Sequence, residues 1–163
     1  MNVAHSLISM AIITVVLIAV GARAEDVPAK LTPPSGSIPV GAYTAAGVQI
    51  YACTANGWTF KAPEANLADA EGKIFAKHHA GPTWEATDGS KATGKVRETA
   101  PSPVTGAIPW LLLSAEPSGA GALSAVKFVQ RINTTGGIGP TGPCPTPGAE
   151  QRVPYTAEYV MYR

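Results

Sequence analysis

A chain of 163 residues with twelve Lys and Arg against eleven Asp and Glu carries a formal charge of +1. That leaves no basic excess for a nucleic-acid backbone or an anionic bilayer. The length suits one domain with a real core, and 17 glycines and 15 prolines punctuate it. No internal repeat or low-complexity tract is present.

Residues 1–24 read as a signal peptide. The apolar core from Leu7 to Val20 is about fourteen residues, short of the roughly twenty a membrane span needs. Ala22-Arg23-Ala24 is a small-x-small cleavage pattern, which places the cut after Ala24. The rival reading is an uncleaved anchor, because the segment before the apolar core has no Lys or Arg. Loss of Arg23 would leave a mature chain of zero net charge. Nothing after residue 24 is apolar enough for long enough to span a bilayer, so the expected location is secreted or periplasmic.

Residues 25–38 read as an extended, Pro- and Ser-rich lead-in, and residues 39–163 as a single β domain. Gly47 to Cys53 alternates, with Val48, Ile50 and Ala52 on one face. Asn56-Gly57 is a hairpin turn signal and Trp58-Thr59-Phe60 its return strand. Lys61 to Leu67 reads as a loop or a single helical turn. Lys73 to His78 and Thr83 to Ala86 are the next strands, the second closed by Asp88-Gly89, and Lys91 to Arg97 is a polar strand. Ile108 to Ala115 is the most apolar stretch. It is too short for a typical helix, starts beside Pro109, and reads as a strand buried on both faces. Leu123 to Ile132 fits a helical stripe or a strand, and its β-branched residues and flanking glycines favour the strand. Thr134 to Gly148 is a Gly/Pro loop, and Tyr155 to Tyr162 alternates as a last strand. About seven to nine short strands with no long helix between them point to an all-β fold, a mainly antiparallel sandwich or small barrel.

The two cysteines, Cys53 and Cys144, form an even pair in an exported chain, which predicts a disulfide. Closing a loop of roughly ninety residues is worth about 4–5 kcal/mol in the chain-entropy account.

The segments GVQIYAC, HHAGPTWEATDGS, AIPWLLL and VQRINTTGGIGPTGPC, with PYTAEYVMY at the end, resemble in this order the exported family catalogued as domain of unknown function 3455. The resemblance runs from about Pro39 to Tyr162. His78 matches the family's histidine before Ala-Gly-Pro-Thr-Trp, and His79 stands where an aromatic residue is common. The resemblance implies no activity.

Candidate chemistry therefore comes from the residues. HHAGPTWEATDGS, residues 78–90, holds two of the three histidines. Adjacent side chains on one strand point to opposite faces, so His78 and His79 do not share a metal, and no metal or cofactor is expected. Gly119 to Ser124 lacks the third glycine of a dinucleotide loop. Ser90, His78 and Asp88 could form a hydrolytic triad, but no GxSxG elbow accompanies them. Glu64, Glu85, Glu116 and Glu158 are the carboxylates available for a glycosidase pair. The favoured reading is structural, with Trp84 in the core and its N–H on His78 or Glu85. Around it, Trp84, Trp58, Trp110 and Tyr51 are candidates to line a small-ligand pocket. Arg131 would face solvent or pair with Glu85 or Glu158, and Asn133-Thr134-Thr135 is a formal glycosylation sequon. Two functions follow. One is a non-catalytic small-ligand-binding or surface-associated module. The other is a secreted enzyme using His78 with Glu85 or Asp88.

Overall fold

The computed structural model describes residues 27–163, so the leader expected over residues 1–24 lies outside the described residues. Among the described residues eight antiparallel strands follow one another around a closed barrel. They are β1 (Pro39–Thr54), β2 (Gly57–Ala68), β3 (Ile74–His79), β4 (Thr83–Ala86), β5 (Lys91–Ala100), β6 (Trp110–Ser118), β7 (Phe128–Gly136) and β8 (Glu150–Tyr162). Each strand pairs with the next, and β8 returns to β1, from Pro39 opposite Tyr162 to Ala52 opposite Glu150. Eight strands enclose a space that side chains can fill or that holds one small ligand.

Period-two burial builds the interior. Along β8, Tyr155, Ala157, Tyr159 and Met161 turn inward and are buried, and Thr156 and Glu158 turn outward. Large and small residues share the inner layer. Ala45, Ala65, Ala76, Ala86 and Ala92 lie beside Trp84, Leu67, Leu113 and the inward residues of β8. Gly94 leaves room for the Trp84 ring, since a Cβ there would stand 2.8 Å from Trp84 Cζ3 and 3.0 Å from Leu113 Cδ2.

A second core lies outside the barrel wall. Ala29–Leu31 forms a short 3-10 turn, η1. Leu31 packs with Ala100, Trp110, Leu112 and Ile132, which face outward from β5, β6 and β7. The amide of Gln130 donates to the Leu31 carbonyl at 2.8 Å and holds the turn down. The lead-in is therefore a cover, and it explains why Trp110-Leu111-Leu112-Leu113 is apolar on both faces.

Most strands run longer than the sequence reading, as β1 does from Pro39 and β8 from Glu150, and two segments change character. Lys61 to Leu67 is the second half of β2, not a loop or helical turn. A bulge opposite Ile50 and Tyr51 shifts the register there. Past it, Pro63, Ala65 and Leu67 alternate with the outward Glu64 and Asn66. Between β6 and β7, Leu123 and Val126 lie in a loop, and the strand starts at Phe128. Both are fully buried in the interior cluster, so this loop packs into one end of the barrel.

The disulfide between Cys53 and Cys144 is formed, with its Cα atoms 5.5 Å apart. It fastens the β7–β8 loop to the end of β1, beside two backbone bonds from Cys53 N to Ala149 O and from Gly148 N to Cys53 O. No helix among the described residues is long and apolar enough to cross a membrane.

Candidate functional site

The meander sets where a site can be. The turns after β1, β3, β5 and β7 lie at one end of the barrel, and those after β2, β4 and β6 at the other. The Leu123–Val126 loop fills the second end. Asp88 and Ser90 fix it there: Ala122 N donates to Asp88 Oδ2 at 2.7 Å, and Leu123 N to Ser90 Oγ at 3.1 Å. The first end holds a cavity of about 350 Å³.

Its walls come from strands far apart in sequence. Gln49 and Tyr51 of β1 stand on one side, and His78 of β3 and Trp84 of β4 on another. Arg131 of β7 and Tyr159 of β8 complete the ring, over an apolar floor that includes Leu111 and Leu113. Pro82 belongs to the β3–β4 turn and sits at the rim.

His78 is 3% exposed. It stands directly across from Trp84 in the β3–β4 register. Cross-strand neighbours stand side by side, so the two rings stack, with centroids 4.7 Å apart and planes 4° from parallel. The expected hydrogen bond from the Trp84 indole is not made, and its Nε1 is buried without a partner. His78 Nδ1 instead lies 3.0 Å from the Thr83 carbonyl oxygen. A carbonyl can only accept, so Nδ1 carries the proton and Nε2 keeps its lone pair. No partner among the described residues takes that lone pair. Burial holds the His78 pKa down to about 4, against the smaller opposing effect of the Thr83 bond, so the ring is neutral at pH 7.

His79 turns outward, as the alternation requires. Its Nε2 lies 3.4 Å from the Glu85 carboxylate, which Lys91 also approaches at 3.2 Å. Lys91 is the main reason the Glu85 carboxyl sits below its ordinary pKa. Asp88 accepts from the Ser90 hydroxyl at 2.6 Å and from Ser90 N at 3.0 Å, and this hydroxyl leads the causes that lower its pKa. The structure thus places Glu85 on the outer wall and Asp88 and Ser90 at the far end, and brings none of them to His78. The other carboxylates are also dispersed. Glu64 pairs with Arg152, and Glu158 accepts from Asn133. None of the four carboxylates considered for a glycosidase pair lines the cavity. Among the described residues no three His, Cys, Asp or Glu side chains converge as a metal set.

Of the four aromatic candidates, Trp84 and Tyr51 line the cavity, whereas Trp58 and Trp110 do not. Trp110 faces the other way, under Leu31. Tyr51 is fixed by its hydroxyl, which donates to the Gly137 carbonyl at 2.7 Å, and by its ring against Gly139, where a Cβ would approach Cε1 to 2.6 Å. The disulfide-tied loop therefore shapes one wall.

Gln49 and Arg131 are among the lining residues that the sequence did not place at a pocket. Gln49 is buried, and its amide nitrogen has no partner. Arg131 neither faces solvent freely nor pairs with Glu85 or Glu158. Its Nε and Nη2 donate to the Pro109 carbonyl at 3.2 and 2.8 Å, and the side chain lines the cavity. The signal was its two-residue spacing from Val129, which is buried in the interior.

A family model described as a protein of unknown function, DUF3455, matches residues 34–163. No curated protein and no solved structure matches the chain.

Proposed function

We propose that this chain, which belongs to the DUF3455 family of proteins of unknown function, is an exported barrel that holds a small organic ligand in the cavity at its mouth. The observation that carries the reading is a cavity of about 350 Å³ with aromatic and aliphatic walls and convergent polar groups. The polar groups are the Nε2 lone pair of His78, which has no partner among the described residues, and the Arg131 guanidinium, which has no ion-pair partner among them. An accepting nitrogen and a cation on an otherwise apolar wall can fix the orientation of a small ligand, and cavities of this size and character are where small molecules bind.

Export accords with the apolar leader and with the disulfide, which persists in oxidising compartments. The catalytic alternative has less support, since a neutral His78 bonded only to a backbone carbonyl has no carboxylate to orient it or take up charge.

The test is to soak crystals in a mixture of small aromatic and aliphatic fragments. The proposal expects density between Trp84 and Arg131. Fragments found only on the outer wall, with the mouth cavity empty at saturating concentration, would contradict it.

A further inference from the structure

We propose that the ligand of the mouth cavity is an aromatic carboxylate, bound through Arg131. The inference rests on the binding reading above and adds the ligand's charge and shape.

The charge comes from the lining. Its ionisable members include two cations, Lys61 and Arg131, and no Asp or Glu. Lys61 is at the rim and already pairs with Glu150. Arg131 has no ion-pair partner among the described residues. The Pro109 carbonyl takes Nε and Nη2 and so fixes the guanidinium plane, and the Tyr159 hydroxyl is a further polar neighbour of the group. A half-buried guanidinium beside aromatic and aliphatic groups lacks the solvation it has in water. An anion docked on the guanidinium restores a charge-assisted bond, and arginine's planar fork suits a carboxylate. The Arg131 charge reaches across the cavity. It opposes protonation of His78 and favours ionisation of Tyr51 and Tyr159, although burial outweighs it at both tyrosines. A cationic ligand would meet that same field.

The shape comes from the rings. Trp84, with His78 stacked on it, offers a flat wall, and Tyr159 meets both rings edge-on, with centroids 5.3 and 5.6 Å away. Tyr51 and Phe60 stand edge to face on the side nearer the rim, with centroids 5.7 Å apart. Flat, rigid walls favour a flat ligand, because ring stacking adds to simple burial of area. His78 Nε2 can only accept, so it suits a hydroxyl or amino substituent on the ring and not the carboxylate itself.

The experiment compares 1-naphthoate with 1-naphthamide, which has the same shape and no charge. Both are titrated into the purified chain by calorimetry and by quenching of tryptophan fluorescence. The expected result is that naphthoate binds at least about tenfold more tightly, and that Arg131→Gln brings the two probes within about twofold of each other. Equal affinities for acid and amide on the unaltered chain would overturn the carboxylate inference and leave ligand binding standing. Binding of neither probe would overturn both. The comparison on the unaltered chain does not depend on whether the Arg131 variant folds. For the variant, an unchanged preference for the acid would also overturn the role given to Arg131.

Discussion

Acid should weaken this fold well before its carboxylates protonate, and His78 should be the cause. Its folded pKa is about 4, against an ordinary value of 6.5. A group with a lowered folded pKa stays neutral in the fold while the unfolded chain takes up a proton. Stability rises with pH wherever the unfolded state binds more protons, so this contribution is complete above pH 6.5 and is lost as pH falls towards 4. With those two values the loss by pH 5 is about 2 kcal/mol, and the full shift corresponds to about 3 kcal/mol. Glu85 and Asp88 have the opposite chemistry. Their lowered carboxyls stabilise fully above their ordinary values of 4.5 and 3.8 and lose that effect only below them. The window from pH 6.5 to about pH 5 therefore reads His78. Urea denaturation at pH 7, 6 and 5 should show the unaltered chain losing about 2 kcal/mol across that span, and His78→Gln losing much less. Equal losses in the two proteins would refute the account of a neutral, desolvated imidazole.

Four further outcomes follow from packing and cross-linking. Gly94→Val should overpack against Trp84 and Leu113 and cost about 1–3 kcal/mol in urea denaturation, with a loss of ligand binding because Trp84 is displaced. Leu31→Ala should cost about 2–5 kcal/mol, since Leu31 of the lead-in is fully buried against the outer wall; a change under about half a kcal/mol would show that the lead-in does not cover that face. Replacing Cys53 and Cys144 by Ala should cost about 2–5 kcal/mol and free the loop behind Tyr51. The unaltered chain should show no free thiol by mass spectrometry without reductant.

The β character of the chain was legible because burial alternates locally. Tyr155 to Tyr162 shows its inward and outward faces without any partner in view, and Asn56-Gly57 and Asp88-Gly89 sit at turns. Barrel closure was not legible. It depends on β1 meeting β8, a pairing of segments about a hundred residues apart that no local pattern encodes. Pro63 hid the second half of β2, because proline is rare inside strands. It lies there opposite Gln49, just past the bulge. The burial of both faces of β6 was visible in Trp110 to Leu113, but its cause, a lead-in folded over the outside, was not.

The site was half legible for the same reason. His78 and Trp84 were identifiable from their corner, and the structure places them side by side on the cavity wall. Arg131, expected to face solvent or to pair with Glu85 or Glu158, lines the cavity instead, and its place was hidden because β7 also buries its outer face. Phe128, Gln130 and Ile132 pack under the lead-in, so an apolar or buried neighbour does not tell which face of β7 is the inner one. The inner face of β7 is the one that carries Val129 and Arg131. Gln49 gave no signal, since a lone amide in an alternating strand is indistinguishable from a solvated one until the barrel closes around it.

The most direct test of ligand binding at the barrel mouth is a titration of 1-naphthoate followed by the tryptophan indole N–H resonances. Trp84 and Trp110 are both buried, with indole nitrogens that lack partners, yet they face opposite sides of the wall. The account predicts a saturable shift of the Trp84 signal with the Trp110 signal unmoved. Shifts confined to Trp110 or Trp58, or none at saturating ligand, would contradict it.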